Sequence, residues 1–230
     1  MKKKLKIGIL LNGYDLPAWQ YKIIEELTLS DFAGISLVVR NLENGPAIQT
    51  HYLPVPYSLH RKADRLIFGN KYDYDRVRNI EVLIRDIPEI CAGSILHGRF
   101  EDFLQETLDE IRSYDLDIIL KFGFGLLTGK ILKVPGYGVW SYTMDNFGTQ
   151  KEGTSGYYEV VMKRPVTRSE LVILREADEN HIVISYALEA TCSYSIQVNR
   201  NRMFWTSLSN RACGRVPHHD PCQCPNQPIR

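Results

Sequence analysis

Three sets of residues have side chains or spacing that could do chemistry, and each fails as a known framework. Cys213, His218, His219, Cys222 and Cys224 gather enough thiols and imidazoles near the end of the chain for a zinc site. Their order matches no regular C-x₂₋₄-C…H-x₃₋₅-H spacing, so no metal is expected. Gly125 and Gly129-Lys130 imitate a phosphate loop. That motif needs glycine at 124 and a hydroxyl at 131, where the chain has Phe124 and Ile131. The turn Asn12-Gly13-Tyr14-Asp15 lacks the G-x-G-x-x-G that brings a pyrophosphate onto a helix N-terminus. The richest stretch left is residues 115–145, which carry glycine-flanked aromatic residues between two apolar runs.

The elements that position this stretch can be read from periodicity. Residues 118–120 are a short apolar run, followed by the turn Phe122-Gly123-Phe124-Gly125. Leu126, Leu127, Ile131 and Leu132 then fit a short helix stopped by Pro135-Gly136, and residues 138–142 fit a second strand. Strand, turn, helix, strand is the grammar of a parallel α/β sheet, whose ligands sit at the carboxyl ends of the strands. The loops after Leu120 and Tyr142 are therefore the expected site.

Earlier in the chain, Leu5–Leu11 predicts a continuous buried strand. Trp19, Ile23, Ile24 and Leu27 fall at helical spacing behind Pro17, and residues 35–39 read as a strand. A helix is expected over residues 59–68, capped by Ser58, with residues 71–79 as a short continuation. The next apolar run is either 82–84 or 87–90. Residues 100–113 predict one helix, with Phe100, Phe103, Leu104, Thr107, Leu108 and Ile111 on one face and Glu101, Asp102, Glu106, Asp109 and Glu110 outside. Residues 157–162 predict a helix, and 170–175 and 181–186 two strands.

Composition sets the outer bounds. With 44% hydrophobic and 24% charged residues the chain is an ordinary globular domain, and its net charge of +1 calls for neither nucleic acid nor an anionic membrane. No apolar run approaches the ~18 residues of a membrane span, so a cytoplasmic protein is expected. Five cysteines are an odd count for a disulfide framework, and Cys91 and Cys192 read as reduced core thiols.

The frame from Asp117 through Gly138 to Asp145 resembles the folate-dependent formyltransferases, the family that includes methionyl-tRNA formyltransferase and glycinamide ribonucleotide formyltransferase. In that family the second strand ends in an Asn-x-His pair, and an Asp follows downstream. Here Ser141 stands at the Asn position and Thr143 at the His position. Asp178 keeps the Asp, with Asn180 in place of the usual glycine. The resemblance covers about residues 5–206. It implies a Rossmann-like, mostly parallel α/β sheet with helices on both faces over residues 1–206, and leaves 207–230 as an irregular, disordered tail.

The resemblance also implies transfer of a formyl group from 10-formyltetrahydrofolate to a small-molecule amine, a sugar-linked amine among the candidates. Asp178 would relay the proton, and Ser141 and Thr143 would line the site. Phe124, Gly125, Leu126 and Ala177 would meet the folate through backbone groups. An unactivated threonine hydroxyl does not titrate near neutral pH, so Thr143 cannot replace a histidine as base. His181 is the nearest imidazole in sequence, competing with its plainer reading as a strand-edge polar residue. The alternative is a catalytically silent module of the same fold, part of a larger transferase, with a further domain or partner chain.

Overall fold

The computed structural model describes residues 4–42, 59, 62–63, 66–67, 76–97, 100–143, 166–176 and 181–189. Residues 96–97, 143, 166–169 and 181–189 are described by backbone alone. The chain begins with β1 (Leu5–Leu11), β2 (Asp15–Pro17), α1 (Ala18–Thr28) and β3 (Ala33–Asn41). Next come β4 (Val77–Asn79), α2 (Glu81–Ile84), β5 (Glu89–Ala92), β6 (Ser94–His97) and β7 (Phe100–Phe103). Then follow α3 (Gln105–Ser113), β8 (Ile118–Lys121), β9 (Leu126–Leu127) and a 3₁₀ helix, Gly129–Lys133. The last described strands are β10 (Val139–Thr143), β11 (Val166–Ile173) and β12 (His181–Glu189).

Seven strands form the main sheet in the order β12-β11-β10-β8-β1-β3-β5. From β10 to β5 all neighbours are parallel, and β11 is antiparallel to both β10 and β12. β1 is the middle of the five parallel strands, and Ile9, Leu10 and Leu11 are fully buried in succession because both faces are covered. Each such side chain contributes about 1.5–3 kcal/mol on burial. On one face Ile9, Leu11, Val38 and Leu120 pack with Ile24 of α1 and Ile84 of α2. On the other, Leu10, Val39, Ile119 and Val139 pack with Leu108 and Ile111 of α3 and with Ile131 and Leu132 of the 3₁₀ helix. The result is a Rossmann-like, mostly parallel sheet with helices on both faces. No helix among the described residues is long and apolar enough to cross a membrane.

Three local expectations change. Phe100–Phe103 is a strand, not the first turn of the following helix, and Leu104 (φ −57°, ψ 145°) caps the helix from an extended conformation. Phe100 and Phe103, three apart, fit one helix face but opposite faces of a strand, so periodicity favours the helix; the strand instead turns Glu101 and Phe103 inward and leaves Phe100 exposed. Leu126–Leu127 is a strand paired with β7, and the helical turn starts only at Gly129. Val77–Asn79 is also a strand, antiparallel to Asp15–Pro17. The run 82–84 is helix and 87–90 leads into the strand β5. The expected helix at 157–162, Cys192 and the tail lie outside the described residues.

Cys91 is exposed rather than core. Its strand is the last in the described sheet order, and only alternate residues, Ile90 and Ala92, turn inward. On the outward row, Arg40 Nε donates to Glu89 Oε1 at 2.6 Å, and the Tyr14 hydroxyl donates to Glu89 Oε2 at 2.8 Å. Arg40 Nη2 also lies 3.2 Å from Cys91 Sγ, and the guanidinium sits 5.4 Å over the Tyr14 ring. Partial burial alone would raise the Glu89 carboxyl. The hydrogen bonds from Arg40 and Tyr14, with the Arg40 charge, overcome it and hold the group below its ordinary value. The hydrogen bond to Glu89 in turn raises the Tyr14 phenol.

A carboxylate depressed in the folded state stabilises above its unfolded pKa and loses that contribution as pH falls. Glu89→Gln is therefore expected to lower stability by about 1 kcal/mol at pH 7. The gap to wild type should close as pH drops through the carboxylate range. Urea unfolding at pH 7 and at pH 3 checks this; an equal penalty at both would contradict it.

Candidate functional site

Strand order places a switch point between β1 and β8. The chain steps from β1 to β3 and β5 on one side, then returns to β8 on the other. Carboxyl ends that diverge in this way leave a crevice for ligands. β8 and β10 are direct parallel neighbours with Leu120 opposite Trp140 and Lys121 opposite Ser141. The loops after Leu120 and after Tyr142 therefore leave the sheet side by side.

The turn after β8 is fastened to the turn after β1. Phe122 N and Gly123 N both donate to Leu10 O, at 3.0 and 2.9 Å. Phe124 N donates to Asn12 Oδ1 at 2.6 Å, and Gly125 N to Glu101 Oε2 at 2.7 Å. Gly123 is required by this approach: a Cβ there would lie 2.6 Å from Leu11 C and closer still to Asn12 N. Phe124 adopts a left-handed conformation (φ 63°), which costs roughly 1–2 kcal/mol for a residue with a side chain. Its buried ring offsets that cost. It packs on Phe103 with centroids 5.1 Å apart, and burying a Phe stabilises by about 1.5–3 kcal/mol before any ring-pair gain.

These bonds alter what the turn can offer. All four N–H groups from Phe122 to Gly125 have partners within the protein. A ligand here can draw on main-chain acceptors and ring faces, not on a cradle of donors. Leu126 belongs to β9 and stands opposite Phe100.

The two faces of the rim differ in chemistry. On the face packed by α1, Trp19 meets Phe122 and Tyr142 edge-on, with centroids 6.2 and 5.8 Å away. Phe122 and Tyr142 lie nearly parallel, 6.3 Å apart. All three rings are half-buried. On the opposite face Ser141 follows the buried Val139 by two residues, and Lys121 is its register partner. Thr143, the last residue of β10, stands opposite Glu170 of β11.

Ala177 and Asp178 lie outside the described residues. β11 runs antiparallel to β10, so Ile173 is opposite Trp140 and the chain leaves β11 toward the end where β10 begins. There Lys133 Nζ is 3.3 Å from Glu176 Oε1. His181 opens β12 in the register of Ile173, one step off the row of Ser141 and Val172.

Sequence reasoning missed four residues of this region. Asn12 was read as a turn former, yet its side chain holds the Phe124 amide. Glu101 was assigned to a solvated helix face but is buried, with 4% exposure, because β7 lies between β6 and β9. Lys121 was passed over. Glu170, a carboxylate leading the apolar run 171–173, was the one visible signal.

No family model and no curated protein matches the sequence. Solved structures do resemble the fold. Glycinamide ribonucleotide transformylase 1 from Symbiobacterium toebii aligns with TM-score 0.54 at 10% identity, covering 95% of this chain and 92% of that one. Phosphoribosylglycinamide formyltransferase from Anaplasma phagocytophilum gives 0.52 at 12%, covering 99% and 97%. A formyltetrahydrofolate deformylase from Pseudomonas putida KT2440 gives 0.54 at 10%, and the match spans 92% of this chain but only 65% of that enzyme. At such identities the likeness establishes a formyltransferase-like fold.

The clamp is directly testable. Gly123→Ala must push the two turns apart and should cost about 1–3 kcal/mol. Gly34→Ala, where an added Cβ meets nothing within 4 Å, should change stability by less than about 0.5 kcal/mol. Equal chemical-unfolding midpoints for both variants would contradict the clamp.

Proposed function

We propose that this chain binds a reduced folate at the carboxyl rim and passes its formyl group to a small-molecule amine, sugar-linked amines included. The observation that supports this reading is the adjacency of β8 and β10 beside the switch point. It puts Ser141 and Lys121 in one row on one face and the Trp19–Phe122–Tyr142 rings on the other. The expected cosubstrate, 10-formyltetrahydrofolate, supplies the electrophilic one-carbon group. This chain's residues suit part of it. An acceptor-only turn matches the amino and ring N–H edge of a pteridine, and half-buried rings suit its faces.

The roles we assign follow from residue chemistry. The Ser141 hydroxyl donates to the carbonyl oxygen as negative charge builds on it; losing one such donor typically costs roughly 10²–10³-fold in rate. Thr143 lines the same strand end. Phe124, Gly125, Leu126 and Ala177 contact the folate, the first two through carbonyls rather than N–H. The resemblance assigns Asp178 the proton relay between the amine and the folate nitrogen, although the strand ends that flank it, Ile173 and His181, stand toward the start of β10.

A second reading, ligand binding without turnover within a larger transferase, is favoured by one feature. Neither hydroxyl, at 141 or at 143, titrates near neutral pH.

Calorimetric titration with 10-formyltetrahydrofolate should give a saturable signal, and a flat trace at millimolar ligand would remove the transfer reading. With binding established, Asp178→Asn should abolish turnover while leaving affinity within about threefold. Undiminished turnover would take Asp178 out of the mechanism, and wild type that binds without turning over would leave the second reading.

A further inference from the structure

We propose that Glu170 is the proton-accepting carboxylate of this rim, a role the Thr143 hydroxyl cannot fill; the inference rests on the formyl-transfer reading. Glu170 is 5% exposed inside β11, beside the buried Leu171 and Val172. Strand register places it opposite Thr143. Val172, two residues on, pairs with Ser141, so Glu170 and Ser141 share a face as diagonal neighbours. Such neighbours lie about 7–8 Å apart, within reach of a long side chain. Lys121 extends the row from β8. A hydroxyl, a lysine and a carboxylate thus converge on one face at the end of adjacent strands.

Packing alone does not account for this residue. Burying a carboxylate between strands is costly even when it is paired, and an apolar side chain of similar volume would fill the place at less cost. The position matters because it is the one opposite Thr143.

The step balances as follows. The acceptor nitrogen forms a bond to the formyl carbon, and the carbonyl π pair moves to oxygen, which accepts the Ser141 hydrogen bond. The nitrogen, now carrying a positive charge, gives one proton to the Glu170 carboxylate. The oxygen pair returns, the bond from carbon to the folate nitrogen breaks, and the same proton leaves Glu170 for that nitrogen. The products are the formylated amine and tetrahydrofolate, with the Glu170 carboxylate restored.

The test compares wild type, Glu170→Gln and Glu170→Asp. The donor is 10-formyltetrahydrofolate, and the acceptors are glycinamide ribonucleotide and a set of amino sugars. Glu170→Gln should lower kcat at least about 100-fold while the calorimetric Kd for the donor stays within about threefold. Glu170→Asp, which keeps the carboxylate, should recover at least about a tenth of wild-type kcat, and it carries the test if the glutamine variant does not fold. Turnover by Glu170→Gln within threefold of wild type would overturn the inference and leave the formyl-transfer reading standing. So would an aspartate variant as inactive as the glutamine one. A wild type that forms no product with any acceptor would overturn both.

Discussion

The backbone contact between the turn after β1 and the turn after β8 is the constraint on which the rim depends. Two strands that diverge at a switch point would leave a loose crevice if their turns were free. Here Leu10 O takes two amides of the second turn, and the Asn12 side chain takes a third. The absence of a side chain at Gly123 lets the backbones meet. Once they meet, Phe122 falls against Trp19 and Tyr142 on one face and Phe124 against Phe103 on the other. The clamp also has a chemical consequence: together with Glu101, which takes the Gly125 amide, it occupies every N–H of the turn.

Buried carboxylates mark where the chain departs from simple packing. Glu101 is accounted for by structure: its Oε2 accepts the Gly125 amide, and its backbone oxygen accepts the Thr128 amide. Glu170 lies instead on a strand face that also carries Ser141 and Lys121. At the far edge, Glu89 works in the open, tied to Arg40 and Tyr14 beside an exposed thiol. Glu101 and Glu170 are equally buried, at 4% and 5% exposure, so exposure alone does not sort these acids.

Much of the fold was legible because β1 and β3 carry the apolar runs 7–11 and 37–39, and a strand covered on both faces needs that pattern. The 115–145 frame was legible for the same reason, with its glycines and prolines punctuating it. Phe100–Phe103 was not, because two phenylalanines three apart share a helix face but not a strand face, and the strand that forms buries Glu101 beside Phe103 instead. The local sequence around Cys91 is apolar, yet edge position exposes it, and strand order is a tertiary fact. At the site, Ser141 and the turn at Phe122 could be chosen from sequence. The Glu170–Thr143 pairing could not, since register between β10 and β11 is fixed by folding. That the turn's amides are taken was equally invisible, because the carbonyl, amide and carboxylate that take them lie far away in sequence.

The central claim is that the clamped rim between β8 and β10 receives a planar, one-carbon-bearing ligand. Amide chemical-shift mapping during titration with a reduced folate tests it most directly. The account predicts saturable shifts clustered at Phe122, Gly123, Phe124, Gly125, Ser141 and Tyr142, with Leu29 and Phe32 unmoved. Shifts confined to the surface around Leu29 and Phe32, or none at saturating ligand, would contradict it.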